Sequence, residues 1–370
     1  MSRLRILALE PYYGGSHRAV LDGLVDRLDA DWTLLTLPAR KWKWRMRGSA
    51  ITMAAEAASL TALSEKGRAQ WDVVFASTFV NLAEFRGLAG AEVAAVPAVV
   101  YFHENQLVYP NRHTAEWDFQ FPLTNITTAL SAECCLFNTA WNRDAFLSEI
   151  PGFIREFPDH RPQQLAERIA AKSLVVPPPI DTAAFDGVEV VRGARCRIVW
   201  PHRWEHDKNP EEFFSAVTQL AEEGLDFEVA VAGQSFRETA EVMRAAADAL
   251  GSRLVHCDEP ESRGEYAALL AGADVAVSTA VNEFFGLAMV EACYAGCTPL
   301  VPDRLAYPEI YPREYRYRTA DELVSRLRSH VLHRPVPGEA AGLARSYTFE
   351  ALIPRYRDVF AAVAEGRSTD

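Results

Sequence analysis

The chain has 370 residues, of which 49% are hydrophobic and 24% charged, and its formal net charge is −12. This composition excludes an intrinsically disordered chain, and the length predicts two domains. No apolar stretch reaches the roughly 20 residues that a membrane helix needs, and the acidic balance argues against general affinity for nucleic acid. Since MSRLRILALEPYY is typical of a first strand rather than a signal peptide, we expect a cytoplasmic protein without a membrane partner.

Short apolar runs alternate with longer amphipathic segments through the first half of the chain. Buried strands are predicted for RLRILAL, WTLLTL, DVVFAS, AVVYFH, CCLFN and SLVVP. A helix is predicted for HRAVLDGLVDRLD, between the first two of them. This alternation predicts an α/β domain with a parallel sheet, covered by helices on both faces, over residues 1–180.

Two candidate ligand contacts fall at predicted strand ends of this first domain. Gly14 and Gly15 lie between the first strand and the first helix, where glycine lets the backbone approach a ligand closely. The Gly-x-Gly-x-x-Gly fingerprint is absent, so a dinucleotide cofactor is not predicted. His103 ends another strand in VVYFHENQLVYP. The alternative is a structural histidine bonded to the backbone.

A basic segment follows the second predicted strand, in ARKWKWRMRG. We define the basic segment by its cations and tryptophans, which are Arg40, Lys41, Trp42, Lys43, Trp44, Arg45 and Arg47. Cations can contact phosphates while a tryptophan stacks on an extruded base, as in recognition of single-stranded RNA loops. The alternative is that the tryptophans pack inside the protein and the cations are solvated.

Three consecutive prolines interrupt the alternation in VVPPPIDTAAFDG, residues 175–187. Because proline fits neither a central strand nor a helix interior, we place the domain boundary here. The alternation restarts over residues 181–346, with strands predicted for CRIVWP, DFEVAVAG, RLVHC, DVAVSTA and CTPLVP. A helix is predicted for the last segment, residues 347–370. We expect the two sheets to face a cleft that holds ligands at the carboxyl ends of the strands.

Strand, loop and helix are predicted in succession for DVAVSTAVNEFFGLAMVEA. Gly286 begins the helix, whose free N–H groups and dipole favour an anion. Glu283 lies in the loop and Glu291 on the second helical turn, where a carboxylate can accept hydrogen bonds from two adjacent hydroxyls. Two glutamates eight residues apart are also common in ordinary amphipathic helices, so this spacing alone leaves both interpretations open.

A second pair of charged residues follows the first strand of the second domain, in WPHRWEHDKNPEEFF. Arg203 and Lys208 lie five residues apart in a loop, a pattern that suits binding of both phosphates of a nucleoside diphosphate. Taken singly, a loop arginine and lysine are usually solvated surface charges. Their position after a proline-rich linker and before the glutamate pair favours the functional interpretation.

The arginine–lysine and glutamate–glutamate patterns resemble those of the retaining glycosyltransferases of family 4, which have the GT-B fold of two Rossmann-like, doubly wound domains. The resemblance implies that the carboxylates hold the sugar and the ribose, while the cations stabilise the departing diphosphate. It also implies that the helix of residues 347–370 packs back on the first domain. The catalytic residues that it implies are Glu283, His103, Arg203 and Lys208. The donor-binding residues that it implies are Gly14, Gly15, Arg203, Lys208, Glu283, Phe285, Gly286, Leu287 and Glu291.

Across nearly its whole length the chain resembles a narrower group, the tRNA-queuosine mannosyltransferases and their bacterial relatives. The segments that carry this resemblance are EPYYGGSH, LPARKWKWRMRGSA, FASTFVNLAEF, YFHENQLVYP, DFQF, PDHRP, WPHRWEHDKNPE, EFFGLAMVEACYAGC and YPEIYP. The resemblance implies transfer of mannose from GDP-mannose to the queuosine base in the anticodon loop of a tRNA, with the basic segment at the acceptor. It implies no cofactor. We interpret the Asp-x-Asp string at Asp29–Asp31 as solvated residues and expect no metal dependence.

Three other functions stay open. A family 4 transferase with another nucleotide sugar and a lipid or polysaccharide acceptor shares the same donor residues. The sequence feature expected of such a transferase is a basic amphipathic surface helix on the first domain, and the sequence offers no clear candidate for one. A non-catalytic regulator that binds sugar nucleotides is disfavoured by the four charged donor-site residues together. An epimerase that converts the donor without an acceptor is also compatible with the pattern.

Overall fold

The computed structural model describes residues 3–64, 69–109, 118–188, 190, 192–233 and 240–367. The chain divides into two compact units: unit 1 is Met1–Pro179 with Leu352–Asp370, and unit 2 is Ile180–Ala351. The division falls after Pro179 and Ala351, against predicted boundaries after residues 180 and 346. Pro110, which ends the YFHENQLVYP segment, lies outside the described residues.

Unit 1 is built on a parallel sheet. Its strands within the described residues are β1 Leu4–Tyr13, β2 Ala30–Pro38, β3 Val73–Ser77, β4 Ala98–Phe102, β5 Cys134–Phe137 and β6 Ser173–Val175. Its helices in the same part of the chain are α1 Gly15–Arg27, α2 Trp42–Ala62, α3 Leu82–Leu88, α4 Ala91–Ala94, α5 Gln120–Ser131, α6 Ala140–Arg155 and α7 Leu165–Ala170. Every residue of β3, β4 and β5 is buried, so both faces of the sheet are covered.

The strand order of unit 1 is β2-β1-β3-β4-β5-β6, and all neighbouring strands run parallel. The order reverses between β1 and β3, where Leu7 is in register with Val74. Connections from these two strands leave on opposite sides, and in open α/β sheets this point opens a crevice at the carboxyl ends of the strands. The crevice of unit 1 therefore lies beside the loops after β1 and β3.

Unit 2 repeats the architecture with a different strand order. Its strands among the described residues are β7 Cys196–Trp200, β8 Phe227–Ala232, β9 Leu254–Asp258, β10 Val275–Val277, β11 Thr298–Pro302 and β12 Arg316–Tyr317. Its helices there are α8 Pro210–Glu222, α9 Ala240–Leu250, α10 Arg263–Ala271, α11 Leu287–Tyr294, α12 Tyr307–Ile310 and α13 Ala320–Leu332. The order is β12-β11-β10-β7-β8-β9, which is the dinucleotide-binding topology with its reversal between β7 and β10.

The last helix, α14 (Phe349–Ala364), supplies core side chains to unit 1. The Tyr356 hydroxyl donates to the carbonyl oxygen of Pro177 at 3.0 Å. The ring of Phe360 contacts those of Trp32 and Phe75, with centroids 6.2 and 5.3 Å apart. The end of the chain therefore packs against strands β2 and β3.

Two Rossmann-like α/β units, each with a doubly wound parallel sheet, confirm the predicted fold class. None of the helices in the described part of the chain is both long and apolar enough to cross a membrane.

Candidate active site

The topology of unit 2 brings the two charged sequence motifs together. Arg203 and Lys208 lie in the loop after β7, and Glu283 lies in the loop after β10. The two strands are neighbours in the sheet, so these loops meet at its carboxyl edge. The amides of Val281 and Asn282 both donate to the carbonyl oxygen of Asp207, at 2.8 and 3.2 Å, and tie the two loops to each other.

Lys208 forms the centre of this junction. Its ammonium nitrogen lies 3.1 Å from Oε2 of Glu283, 3.0 Å from the carbonyl oxygen of Asn282 and 3.2 Å from Oδ2 of Asp207. A lysine ammonium has three donors, so these three acceptors use its whole capacity. The side chains of Lys208 and Glu283 are only 12% and 16% exposed, and the ion pair is therefore largely shielded from water.

The pair is ionised at neutral pH. Burial alone would raise the pKa of Glu283, but the charge of Lys208 and the Phe285 amide more than offset it, so that pKa lies below its usual value. Burial alone would lower the pKa of Lys208, but Glu283 and Asp207 raise it above its usual value. A fixed cation and a fixed carboxylate therefore stand side by side at the strand ends.

The start of helix α11 holds the Glu283 carboxylate from the other side. Its Oε1 accepts hydrogen bonds from the amides of Phe284 and Phe285, at 3.2 and 3.4 Å. Gly286 has a φ of +91°, and a Cβ there would lie 3.0 Å from a ring carbon of Tyr307. Only glycine fits this turn without strain. The N–H groups of the first helical turn, which begins at Leu287, face the loop and suit an anion.

Two other predicted donor residues differ in how they can reach a ligand. The Arg203 side chain is 56% exposed, with its guanidinium 3.3 Å from Oε2 of Glu205. The Phe285 ring is buried and packs against Tyr347, with centroids 5.2 Å apart. Phe285 can therefore contact a donor through its backbone, whereas its side chain belongs to the core.

Glu291 lies on α11 with its side chain 13% exposed. Its Oε1 accepts a hydrogen bond from the guanidinium of Arg263, the first residue of α10. Neither Arg263 nor this pairing is predicted from the sequence, because the two residues belong to different helices. The one local signal is a cation at the start of the predicted helix SRGEYAALLAGA.

In unit 1, the two predicted glycines form the turn into α1. A Cβ on Gly14 would lie 2.4 Å from the Cβ of Ala39, so any larger residue would displace the segment after β2. Gly15 has a φ of +53°, in the left-handed region that glycine adopts most easily. Backbone geometry therefore requires small residues at the end of β1, next to the crevice.

His103 follows β4 and stacks on His17, a residue that no sequence motif predicts. The rings of His103 and His17 are 3.9 Å apart with 26° between their planes. His17 Nδ1 lies 3.0 Å from Oε2 of Glu10, and Oε1 of Glu10 accepts a hydrogen bond from the Tyr12 amide at 2.8 Å. Burial lowers the pKa of His103 well below its usual value, and His17 lowers it further. His103 is therefore a neutral imidazole at physiological pH.

Glu10, His17 and His103 are also the residues to consider as ligands of a metal ion. Donor atoms of Glu10, His17 and His103 lie within 4.8 Å of one another, so in the described part of the chain these are the residues that could share an ion. The Glu10 carboxylate already pairs with the His17 imidazole. The Asp29 and Asp31 carboxylates instead contact the Arg3 guanidinium, at 2.7 and 3.0 Å.

The basic segment begins helix α2, and the structure separates its two tryptophans. Trp44 is 73% exposed. Trp42 is partly buried and packs on Phe121 and Phe79, with ring centroids 4.9 and 6.5 Å away. Of the two tryptophans, Trp44 is therefore the one available to stack on a base.

The cations of the basic segment are mostly exposed as well. Arg40, Lys41, Lys43 and Arg47 are exposed, and Arg45 is partly buried with its Nε donating to the Pro38 carbonyl oxygen at 3.1 Å. Arg47 also pairs with Asp118. A row of positive charge therefore occupies the N-terminal turns of α2.

A continuous line of rings joins the basic segment to His103. Phe79, in the loop after β3, contacts Trp42 on one side and His17 on the other, with centroids 6.5 and 5.1 Å away. His17 in turn stacks on His103. The basic segment and the histidine pair therefore share the carboxyl edge of the unit 1 sheet.

Three solved structures with a similar fold are distant from this chain in sequence. HepE from Anabaena in complex with UDP aligns with a TM-score of 0.68 and 13% identity, covering 99% of this chain and 100% of that one. Sucrose-phosphate synthase from Thermosynechococcus elongatus aligns with a TM-score of 0.70 and 13% identity, covering 97% and 100%. Trehalose 6-phosphate synthase from Burkholderia multivorans aligns with a TM-score of 0.67 and 13% identity, covering 99% of this chain and 97% of that one. These likenesses show the two-domain GT-B fold.

Comparisons of sequence are more specific. A family model described as the N-terminal part of tRNA-queuosine alpha-mannosyltransferase matches residues 5–180, and one described as glycosyl transferases group 1 matches residues 190–315. The tRNA-queuosine alpha-mannosyltransferase of Drosophila melanogaster is 37% identical over 371 residues, which cover 96% of each chain. The chain is therefore a glycosyltransferase, and it belongs to the tRNA-queuosine alpha-mannosyltransferase family.

Proposed function

We propose that this enzyme transfers mannose from GDP-mannose to the queuosine base of a tRNA. The name of the Drosophila relative supports mannose as the sugar and tRNA queuosine as the acceptor, and GDP is the nucleotide that the family resemblance implies. The observation that carries the proposal is the line of rings from Trp42 through Phe79 and His17 to His103. The basic segment and His103, which the family resemblance assigns to the reacting centre, lie on the same edge of unit 1, and this supports the proposal.

The donor would bind through the junction around Lys208. In a sugar nucleotide the transferred sugar is bonded directly to a phosphate, so its hydroxyls and the phosphate charge need adjacent partners. Glu283 and Lys208, 3.1 Å apart, are such a pair of acceptor and cation. Arg203 and the N-terminus of α11 add positive charge, and Glu291 accepts hydrogen bonds from the ribose hydroxyls.

Transfer would proceed with retention, because an alpha-linked product is formed from an alpha-configured donor. The bond from the anomeric carbon to the diphosphate breaks, and its electron pair leaves with the diphosphate. The acceptor hydroxyl oxygen bonds to the same face of that carbon and loses its proton to the leaving phosphate. Removing one group that stabilises the leaving charge typically costs about 2.7–4 kcal/mol of transition-state stabilisation.

The acceptor would dock on the basic segment. Trp44 offers an exposed ring to an extruded base, and the exposed cations offer contacts to the phosphates around it. These cations would supply positive charge to the docking surface of a chain whose net charge is negative. We place the reaction in the cytoplasm and without a metal, since Lys208 and Arg203 provide the charge that an ion would otherwise supply.

The test is transfer of labelled sugar to tRNA from cells able and unable to make queuosine, with GDP-mannose and UDP-glucose as competing donors. We expect label only with GDP-mannose and queuosine-containing tRNA. Label from UDP-glucose would refute the donor assignment. Absence of label on both tRNAs, with GDP-mannose still bound, would refute the acceptor and return a lipid or polysaccharide to consideration.

A pair of variants on helix α2 tests the docking surface. Trp44→Ala should weaken tRNA binding by about 1–3 kcal/mol, the usual loss for one stacked base. Leu63→Ala is the matched control, because Leu63 is 83% exposed at the other end of the same helix. Equal tRNA affinities for the two variants in a filter-binding titration would exclude Trp44 as the stacking residue.

A further inference from the structure

Both carboxylates of the donor site carry their own cation. Glu283 is paired with Lys208, and Glu291 with Arg263. A nucleoside diphosphate sugar is itself an anion, so two unpaired carboxylates would repel it. The Lys208 pair belongs to the motif predicted from the sequence, whereas the Arg263 pair joins two helices that the motif does not connect.

The Arg263 guanidinium packs against two aromatic rings. It lies over the rings of Phe185 and Tyr266, 5.2 and 5.1 Å from their centroids. Such a planar cation keeps its orientation by stacking while its edge remains free for hydrogen bonds. The backbone at this point is also fixed, because the Ser262 hydroxyl caps α10 by accepting from the Glu265 amide at 3.1 Å.

The bond from Arg263 fixes one oxygen of the Glu291 carboxylate. An ionised carboxylate has about four acceptor sites on two oxygens, so the bonds from the Arg263 guanidinium and the Tyr266 hydroxyl leave about two sites for a ligand. Recognition of two adjacent hydroxyls needs the carboxylate plane to be set before the ligand arrives. Without Arg263, the Tyr266 hydroxyl would be left to hold the Glu291 carboxylate. The carboxylate would then be less firmly oriented, and fixing it on binding would oppose association.

We propose that Arg263 is a positioning residue that holds Glu291 ready for the ribose diol of the donor, so that the site distinguishes ribonucleotides from deoxyribonucleotides. The inference rests on the proposed function only in taking the donor to be a nucleoside diphosphate sugar. It concerns no acceptor. Failure of transfer to tRNA would therefore leave it standing, and its own failure would leave the transferase assignment standing.

The test compares binding of GDP and 2′-deoxy-GDP by calorimetry in wild-type protein and in Arg263→Met, Arg263→Lys and Glu291→Gln variants. The wild type should prefer GDP by at least about tenfold, as expected for a hydrogen bond to a charged group. Arg263→Met and Glu291→Gln should both reduce this preference toward unity. Arg263→Lys, which keeps the charge, should recover part of it. In transfer assays the methionine variant should raise KM for the donor and change kcat much less.

A double variant and a control complete the design. If Arg263 acts through Glu291, the Arg263→Met/Glu291→Gln protein should discriminate no worse than Glu291→Gln alone. Arg328→Met removes another arginine–glutamate pair of unit 2, with Glu223 at 2.6 Å, and should leave the preference unchanged. Equal weakening of GDP and 2′-deoxy-GDP by Arg263→Met would overturn the proposal, and so would additive losses in the double variant.

Discussion

Lys208 has few acceptable replacements, because its ammonium neutralises a carboxylate that is nearly buried. Glu283 is 16% exposed, and removal of its partner would leave a charge in a poorly solvated place. Breaking one side of a buried ion pair commonly destabilises a protein by about 3–5 kcal/mol, while removing both charges is far less harmful.

We therefore predict that Lys208→Ala lowers both the stability of unit 2 and the catalytic rate. Stability should fall by about 3–5 kcal/mol, and kcat by about 10²–10³-fold. The Lys208→Ala/Glu283→Gln protein should regain most of the stability without regaining activity. Denaturant unfolding and transfer kinetics measure the two effects. A single variant as stable as wild type would show that the pair does not shield the carboxylate.

Buried neutral histidines give the protein a pH dependence of known sign. Burial, followed by the charge of Lys208, lowers the pKa of His202 to about 3, and the pKa of His103 is also well below its usual value. The unfolded chain protonates these groups near pH 6.5 while the folded chain does not. Stability is therefore complete above about pH 6.5 and falls as the pH drops toward the folded pKa.

Each such histidine should contribute about 1.4 kcal/mol per pH unit to the slope of the unfolding free energy against pH, between about pH 6.5 and 5. We predict that His202→Gln reduces the slope of unfolding free energy against pH by one such increment. His202 is 4% exposed and its ring donates a hydrogen bond to the Val277 backbone, a bond that the glutamine amide can also donate. Parallel slopes for variant and wild type would contradict a neutral buried His202.

Helix α2 is unusual as an element, because its cations lie at the wrong end for its dipole. The N-terminus of a helix is positive, and lysine or arginine there lowers stability by about 0.3–1 kcal/mol each. Lys43 and Arg45 lie in the first turn of α2, beyond the left-handed Lys41. An anionic ligand would offset this repulsion, which is the physical reason to regard the end of the helix as a binding surface.

Reversing the charge of Lys43 should change the stability of unit 1 and the affinity for tRNA in opposite directions. We predict that Lys43→Glu stabilises unit 1 by about 0.3–1 kcal/mol, because it reverses the unfavourable dipole interaction. The same change should weaken tRNA binding and reduce its salt dependence. Arg155→Glu, in the last turn of α6, is the control with the same charge change, and it should destabilise without altering tRNA affinity. Lower stability of Lys43→Glu would refute the dipole argument.

At the scale of the whole molecule, unit 1 is assembled from both ends of the chain. Leu352–Asp370 belong to it together with Met1–Pro179, and α14 brings Phe360 and Tyr356 to strands β2 and β3. Folding of unit 1 therefore depends on a segment that follows all of unit 2 in sequence. Loss of that segment exposes the apolar residues of one face of the sheet.

Phe360→Ala should destabilise unit 1 by about 3–5 kcal/mol, because the ring is fully buried and its removal leaves a cavity. GDP binding should persist at denaturant concentrations that have already unfolded unit 1 in this variant. Val336→Ala, at a 65% exposed position in unit 2, should change stability by less than about 0.5 kcal/mol. Equal unfolding midpoints for Phe360→Ala and wild type would exclude α14 as part of the core.

Whether the transfer reaction needs a metal ion is a property of the whole enzyme. We predict that dialysis against a chelator leaves transfer unchanged, since the proposed leaving-group charge falls on Arg203 and Lys208. Glu10, His17 and His103 are close enough to share an ion, so the control is calorimetric titration of the chelated protein with zinc. Activity that is lost with chelator and restored by zinc would refute the metal-free mechanism.

The sequence by itself determined the fold class and most of the candidate site. Alternation of apolar and amphipathic segments implies parallel sheets, and the carboxyl ends of parallel strands share one edge, so residues that follow strands are candidates for the same site. Gly286, Glu283 and Lys208 could be named for that reason. Their chemistry follows from local position and residue type.

Only the tertiary structure decided which side chains meet. The Lys208–Glu283 pair spans 75 positions in sequence and the Arg263–Glu291 pair 28, so no local pattern relates either pair. The stacking of His17 on His103 and the different exposure of Trp42 and Trp44 likewise depend on packing between separate elements. Pairing, burial and pKa are properties of neighbours in space, and the chain acquires those neighbours only when its sheets form.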